Sequence, residues 1–245
     1  FIARPVLEAD LVINLPKLKT HALTLYTGAI KNLFGSIPGT RKRELHFQAP
    51  GVQDFSSILV DVLELVQPGL TIMDGLLGQE GNGPGSGGTP HWYGCLVAST
   101  DPVALDTVLT EAMGYRRGEV LHVAEAGLRG LGVADRDAIS TAGDQHALEF
   151  GDLQLPRPRW YFHAPAWAAA PLRRFTKLRP RLAEDACTGC GSCTEACPVD
   201  VITPGLPPTF ELDRCIGCLC CAEVCPEGAI SPHRNLLAQL VGMGY

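Results

Sequence analysis

The feature that most constrains this 245-residue chain is a cysteine motif that occurs twice near its C-terminal end. The motif is Cys-x2-Cys-x2-Cys-x3-Cys-Pro, and its second copy begins 28 residues after the first. Three closely spaced thiolates can surround one [4Fe-4S] cluster, while the fourth ligand of that cluster comes from the other copy. Two [4Fe-4S] clusters are therefore predicted, one held by Cys187, Cys190, Cys193 and Cys225, the other by Cys215, Cys218, Cys221 and Cys197.

The same eight cysteines admit two other interpretations. Two tetrahedral zinc sites would also use four thiolates each, but zinc ribbons rarely combine this triple spacing with Cys-Pro at the end of both copies. Disulfides are less favoured still, because oxidation would consume the ligands and such clusters need a reducing compartment. Cys220 falls outside the spacing and is predicted not to bind iron, and Cys95 is predicted to be a buried hydrophobic residue of a strand.

The distribution of residue types predicts two domains joined by a linker. Nine of the ten cysteines lie between Cys187 and Cys225, and the hydrophobic content of 46% suffices for a core in the first 150 residues. No run of about 18 apolar residues occurs, so no membrane-spanning helix is predicted. The predicted organisation is an α/β domain at residues 1–154, a basic Pro-rich linker at 155–182, a 2[4Fe-4S] ferredoxin-type domain at 183–233 and a helical tail at 234–245.

Alternating strand and helix patterns define the fold class of the first domain. They predict an α/β layered domain with a mixed or parallel sheet and flanking helices, followed by a small α+β ferredoxin-like domain. Asp101-Pro102 is a typical helix start, with Asp as the N-cap and Pro as the first helical residue. Strands are predicted at residues 10–15, 70–73 and 92–98, with a weak pair near 139 and 148–153, and helices at 23–34, 52–66, 102–113 and 120–128.

Positive charge is concentrated where the first buried strand ends. Lys17, Lys19 and His21 follow the run DLVINL, and further basic residues come soon after it. Such donors suit the carboxylate or phosphate of an anionic small molecule, although solvated surface groups would give the same pattern. The remaining members of this predicted anion site are Lys31, Asn32, Arg41, Lys42, Arg43 and His46.

A glycine-rich segment, Gly78–Gly88, follows Asp74-Gly75 and is predicted to be a loop that wraps a ligand or acts as a lid. It lacks the Lys-Ser/Thr ending of a P-loop and the spacing of a dinucleotide motif, so nucleotide binding is weakly supported. Glu80, Asn82 and Asp74 are acid-base or metal-ligand candidates, but single carboxylates in such segments are more often turn formers. The candidate catalytic residues are Lys17, Lys19, His21, Asp74 and Glu80.

The predicted linker is strongly basic and precedes an acidic cysteine-rich segment. Its arginines would either pack on the chain's own acidic module or form a docking face for an acidic partner protein. Nucleic acid is not expected to be a partner, because the stretch lacks an interleaved basic and aromatic pattern. The basic residues are Arg157, Arg159, Arg173, Arg174, Lys177, Arg179 and Arg181.

Three sequence stretches resemble the family called domain of unknown function 362. They are LVINLPKLKTHALTLYTGAIKNLFGSIPG, IMDGLLGQEGNGPGSGG and ASTDPVALD, and the resemblance covers residues 10–132. It implies that a C-terminal pair of ferredoxin motifs is a common companion of the domain, and that an N-terminal part of the family domain is absent here. It implies no particular activity.

Three functions are compatible with these patterns. The leading hypothesis is an iron-sulfur oxidoreductase, or a subunit of one, that passes electrons through its clusters to an anionic substrate or cofactor. The second is an electron carrier or adaptor whose α/β domain recognises a redox partner protein, and the third is a maturation factor for a cluster or cofactor. A cytoplasmic location is predicted, but the first residue is Phe1 rather than Met, so an export signal before it stays open.

Overall fold

The computed structural model describes residues 1–38, 41, 42, 45, 49, 52–81, 83, 88–156, 179–215 and 220–233. These residues fall into two compact units, the first reaching residue 156 and the second beginning at residue 179. Each unit has its own hydrophobic core. None of the helices within these ranges is long and apolar enough to cross a membrane.

A mixed five-stranded sheet forms the centre of the first unit. Its central strand β4 pairs on one side with β1 and β2, both parallel to it, and on the other side with the antiparallel β5. Strand β3 extends the sheet by pairing antiparallel with β2. The strands are β1 Ile13–Asn14, β2 Lys17–His21, β3 Leu25–Thr27, β4 Leu70–Gly81 and β5 Gly88–Ser99.

Five α-helices accompany this sheet within the described part of the first unit. The longest is α3, which is predicted correctly at residues 52–66 and buries Phe55, Leu59 and Leu63 along one side. Helix α4 begins where the sequence predicts, because the Asp101 carboxylate accepts hydrogen bonds from two amides of the first turn. The helices are α1 Arg4–Leu7, α2 Ala29–Asn32, α3 Val52–Val66, α4 Pro102–Ala112 and α5 Leu121–Leu128.

Burial alternates along the strands, so the sheet has one buried face and one open face. On β5, Tyr93 and Cys95 are buried, whereas Trp92 and Leu96 are 67% and 65% exposed. The burial of Cys95 agrees with its interpretation as a small hydrophobic residue. The mixed sheet with flanking helices confirms the predicted fold class.

Three local predictions are wrong. The predicted helix over residues 23–34 begins only at Ala29, because Leu25–Thr27 pairs with β2 as a strand. The strand predicted at 70–73 continues to Gly81, so Asp74-Gly75 lies inside β4 next to a register shift, not in a loop. The weak strands predicted near 139 and 148–153 are absent from the described residues, which form 3-10 turns at Arg136–Ala138 and Gln145–Leu148. In the first two cases strand pairing outweighs the local pattern.

The second unit is small and contains both helices and strands, as predicted. Its N-terminal strand lies in the range that the sequence analysis assigns to the linker, and this strand pairs with the last described strand. The rest of the predicted linker, residues 157–178, and the predicted tail helix lie outside the described residues. The elements are β6 Arg179–Leu182, α6 Ser192–Glu195, β7 Ile202–Thr203, β8 Thr209–Phe210, α7 Cys220–Glu223 and β9 Ile230–His233.

Candidate functional site

The structure brings cysteines of both motif copies to one cavity in the second unit. Three cysteines of the first copy line this cavity together with the last cysteine of the second copy. Apolar residues such as Ile230 and Leu182 contribute to the wall. The lining cysteines are Cys187, Cys190, Cys193 and Cys225.

Tight turns between the cysteines shape this wall. Gly189 and Gly191 have φ angles of 69° and 80°, which side chains other than glycine rarely adopt. Gly191 is also the N-cap of α6, so the turn leads directly into the helix that carries Cys193. Glycine at these two positions thus allows the backbone to turn tightly between the cysteines.

The two motif copies make equivalent hydrogen bonds. The amide of Ala229 donates to Cys225 Sγ at 3.3 Å, and the amide of Val201 donates to Cys197 Sγ at 3.5 Å. Each donor lies four residues after its cysteine. Amide donors of this kind stabilise thiolates and are one of the factors that set cluster potentials.

The other predicted ligand set lies in the same apolar core. Cys221 is 7% exposed and packs with Val201 and Ile202, while Cys197 and Cys215 contact this cluster at its edge. Cys218, the fourth member of the set, lies outside the described residues. Cys220, next to Cys221 in α7, is also buried.

The cavity fits a cluster by the arrangement of its donors. Each thiolate of a [4Fe-4S] site binds a different iron, so its ligands ring a space instead of converging on a point. Four cysteines around one cavity meet this requirement. Among the residues that the structure describes, no group of three or more His, Cys, Asp or Glu side chains is arranged to hold a single metal ion.

In the first unit, two of the candidate catalytic residues pair with each other. Lys17 Nζ lies 2.6 Å from Asp74 Oδ2 and donates to the carbonyl of Leu77 at 3.0 Å. The hydrogen bond from Lys17 holds the pKa of Asp74 below its ordinary value. Both side chains are about half exposed, so this is a surface ion pair in which Lys17 is already engaged by protein atoms.

His21 and Glu80 are engaged in local structure. His21 Nδ1 accepts hydrogen bonds from the amides of Leu23 and Thr24, which fixes the turn between β2 and β3. The Glu80 carboxylate accepts from the amide of Gln154 at 2.9 Å and so ties the segment after residue 150 to the sheet. Asn82, Arg43 and His46 lie outside the described residues.

Lys19 and Lys31 form a different kind of pair. Their charges act on each other, and neither amine has a hydrogen bond or an ion pair with any residue that the structure describes. Burial, and secondarily the charge of Lys19, lower the pKa of Lys31 to about 7. Within the described residues, a ligand at Lys19 and Lys31 would therefore not have to compete with a protein partner for either amine.

A buried carboxylate, which the sequence analysis misses, holds Lys31 in place. Asp106 of α4 is fully buried and accepts hydrogen bonds from Tyr26 Oη at 2.8 Å and from the amides of Ala29 and Ile30 at 2.7 and 2.9 Å. A Cβ at Gly28 would overlap both the Tyr26 hydroxyl and the Asp106 carboxylate. Burial raises the pKa of Asp106 to about 6. The signal in the sequence is a single acid in the apolar run VALDTVL.

Two asparagines fix the other side of α2. Asn14 donates to the carbonyl of Ala29 at 2.9 Å, and Asn32 donates to Asn14 Oδ1 at 2.8 Å. The four-residue helix is thus held by side chains of both β1 and α4. Lys31 projects from a backbone that has little freedom to move.

His122 of α5 is the second group that the sequence analysis misses. It is fully buried, and neither ring nitrogen has a hydrogen-bond partner among the described residues. Its ring stacks on Tyr26 with 6.3 Å between centroids. Burial, and secondarily the charge of Lys31, lower its pKa to about 3, so the imidazole is neutral at pH 7. A buried polar group without a partner is uncommon and often marks a functional site.

The lowered pKa of Lys31 predicts a specific pH dependence of stability. Between pH 7 and 10.5 the folded chain binds fewer protons at Lys31 than the unfolded chain, so stability rises with pH across this window. The variant Lys31→Met should be more stable than the wild type at pH 7 by about 1–3 kcal/mol, and this gain should shrink towards pH 10.

Urea denaturation at several pH values measures this difference. Lys17→Met is the matched control, because Lys17 is a half-exposed, ion-paired lysine of β2 in the same unit, and its substitution should give no such pH-dependent gain. Equal stability of Lys31→Met and the wild type at pH 7 would contradict the prediction.

Comparison with known protein families agrees with both units. Residues 1–111 match the model of the domain of unknown function DUF362, and residues 179–233 match that of a 4Fe-4S dicluster domain. The second match begins at the first residue of β6. The chain therefore has the predicted architecture, in which a DUF362 domain is followed by a 4Fe-4S dicluster domain.

One curated relative is a thylakoid-associated protein of Synechocystis sp.. It is 42% identical to this chain over 113 residues, which make up 46% of the chain and 35% of the relative. The chain thus matches only about a third of that protein's length.

Proposed function

We propose that this chain is an iron-sulfur oxidoreductase, or a subunit of one, that exchanges electrons with an anionic small molecule bound by the DUF362 domain. The 4Fe-4S dicluster domain supports electron transfer in general. The unpaired amines of Lys19 and Lys31, next to the unpartnered His122, carry the more specific proposal of an anion site.

Two [4Fe-4S] clusters are proposed, with crossed ligand sets. The cavity that joins Cys225 to three cysteines of the first copy supports one set. The packing of Cys197 with Cys215 and Cys221 around one apolar core supports the other, with Cys218 as its fourth ligand. Bound there, the clusters would supply one-electron transfer, and the apolar residues of this core would limit their contact with water.

The anion site is proposed to centre on Lys19 and Lys31, not on all the basic residues of the segment. Lys17 already has Asp74 and the Leu77 carbonyl as partners, so an added anion would have to compete with them. A ligand carboxylate or phosphate at Lys19 and Lys31 would meet two cations that have no partner among the described residues.

Location and partners follow from the cluster chemistry. Thiolate ligands and reduced clusters persist in a reducing compartment, which supports a cytoplasmic location. Electrons must also enter or leave the clusters, so a redox partner protein is proposed. Neither nucleic acid nor a membrane-spanning segment is part of this proposal.

The proposed function predicts reoxidation of the reduced clusters by a small anion. Protein purified under anaerobic conditions and reduced with dithionite should be screened against carboxylates and phosphorylated compounds, with the visible absorbance of the clusters as the readout. An active compound should lose most of its effect, about tenfold or more in apparent affinity, in Lys19→Met, which removes one of the two charges that bind it.

Lys17→Met is the control and should respond like the wild type, because Lys17 is held by Asp74. If no compound reoxidises the clusters, while a redox protein does so, the chain is an electron carrier whose first domain recognises a partner. Equal effects of the Lys17 and Lys19 substitutions would argue against the anion site as placed here.

A further inference from the structure

The anion site contains an amine with the properties of a nucleophile. Lys31 is partly buried, has no acid or hydrogen-bond partner among the described residues, and lies close enough to Lys19 and His122 for their charges to interact. Within the described part of the chain no ion pair involves Lys31, in contrast to Lys17 of β2. A lysine in such surroundings has a large fraction of neutral amine near pH 7.

The backbone around Lys31 supports a catalytic use. Asp106 and Asn14 hold the first turn of α2 from two different elements, Asp106 through the amides of Ala29 and Ile30 and Asn14 through the carbonyl of Ala29. Burial of a carboxylate and an asparagine beside one helical turn destabilises the folded state unless these side chains make all their hydrogen bonds. A surface lysine would not require such support, whereas a reacting amine must be held in position.

Resting on the proposed function, we propose that Lys31 is a nucleophile that forms an imine with an anionic carbonyl compound, such as a 2-oxo acid, whose negative charge is bound by Lys19. The neutral amine attacks the carbonyl carbon, and a C-N bond forms as the C-O double bond opens. Water then leaves with the carbonyl oxygen and both amine protons, which yields the C=N bond without any change in oxidation state.

His122 adds a separate observation that points to a ligand. In the part of the chain that the structure describes, its ring nitrogens have no partner, and its neighbour Tyr26 is already hydrogen-bonded to Asp106. The imidazole is neutral at pH 7, so it adds no positive charge near the amine. A buried hydrogen-bonding group next to Lys31 is thus left for a bound molecule or for the amine itself.

The test uses glyoxylate, a small 2-oxo acid, and traps the imine with cyanoborohydride on the anaerobically purified full chain at pH 7. Peptide mapping then assigns the carboxymethyl adduct among the five lysines of the chain, Lys17, Lys19, Lys31, Lys42 and Lys177. A pKa of about 7 at Lys31 gives it about a thousandfold more neutral amine than an ordinary lysine at this pH. Labelling of Lys31 should therefore exceed that of Lys17 by about tenfold or more.

Two comparisons separate recognition of the charge from reactivity of the amine. Propionaldehyde has no carboxylate and should label Lys31 more slowly than glyoxylate does, and oxalate should protect Lys31 from glyoxylate. In Lys19→Met, glyoxylate labelling of Lys31 should fall by about tenfold or more, because Lys19 binds the carboxylate and its charge is also the lesser of the two causes, after burial, that lower the pKa of Lys31.

Equal labelling of Lys17 and Lys31, or labelling of Lys31 that Lys19→Met leaves unchanged, would overturn the proposal. The result of this labelling test can also be distinguished from the result of the reoxidation test of the proposed function. If oxalate binds and protects the protein but no imine forms, the result would argue against Lys31 as a nucleophile and still support the anion site. If an imine forms at Lys31 but no small molecule reoxidises the clusters, the result would support Lys31 as a nucleophile and argue against the oxidoreductase function.

Discussion

A variant that lacks both Cys187 and Cys225 should keep one [4Fe-4S] cluster, whereas a variant that lacks both Cys187 and Cys197 should keep none. Cys225 belongs to the second motif copy by sequence, but it lines the cavity of the first three cysteines. Loss of two ligands of the same cluster should prevent binding of that cluster alone. Removing one ligand from each set impairs both.

Iron and sulfide analysis of anaerobically purified protein measures this difference. The wild type should contain about eight iron atoms, Cys187→Ser with Cys225→Ser about four, and Cys187→Ser with Cys197→Ser close to none. Cys220→Ser is the matched control, because Cys220 is buried in the same helix as Cys221 but lies outside the motif, and it should retain the full iron content.

The opposite pattern would show that each motif copy binds its own cluster. In that case the variant that lacks Cys187 and Cys197 would keep about four iron atoms, and the one that lacks Cys187 and Cys225 would keep none. Iron without inorganic sulfide, or zinc in place of iron, would contradict cluster binding altogether.

Much of the arrangement of the cysteines can be predicted from the sequence, because their geometry is mostly local. Three ligands within seven residues, separated by glycines with positive φ, define most of one wall by chain connectivity alone. Only the predicted contribution of a fourth ligand from the other motif copy, such as Cys225, depends on the fold. The duplicated spacing predicts this crossing too, because in two-cluster motifs of this spacing the fourth cysteine ligates the other cluster.

The candidate site of the first unit is harder to predict from the sequence. The pattern Lys-x-Lys-x-His draws attention to the residues of β2, but it cannot reveal that Lys17 pairs with Asp74 from a parallel neighbouring strand. Asp106 and Tyr26 are 80 residues apart in the chain and meet only when α4 packs near α2. His122 was overlooked because an isolated histidine in a helical pattern is most often an ordinary core residue.

The glycine-rich segment illustrates the same limit. Gly75 and Gly78 suggest a loop by composition, yet both lie inside β4. A Cβ at Gly75 would come within 2.6 Å of Cys95 Sγ, so glycine is needed there for close packing between strands. Composition cannot distinguish a glycine that permits a turn from one that permits a close approach.

Replacing Asp106 by alanine should be among the most destabilising single changes in the first unit. The Tyr26 hydroxyl and the amides of Ala29 and Ile30 would all lose their acceptor in a fully buried environment. Each unsatisfied donor costs about 1–3 kcal/mol, so a loss of about 3–6 kcal/mol is expected. The same change would release α2 and with it Lys31.

Two milder variants separate these contributions. Tyr26→Phe removes only one donor and should cost about 1 kcal/mol, because it leaves Asp106 bound to both amides. Asp106→Asn keeps the volume and one acceptor oxygen, so its cost should lie between those of the other two. Urea titration, followed by hydrogen exchange in peptides from α2 and α4, measures the stability of the first unit alone. This restriction is necessary because a chain with two units need not unfold in one step.

If Asp106→Ala were as stable as Tyr26→Phe, the carboxylate would not be the group that holds α2, and the rigid placement of Lys31 would need another cause. If Asp106→Ala is strongly destabilised while the second unit keeps its iron, the two units are stabilised independently. Reactivity of Lys31 towards glyoxylate should then fall in Asp106→Ala and persist in Tyr26→Phe, because only the first change frees the helix that positions the amine.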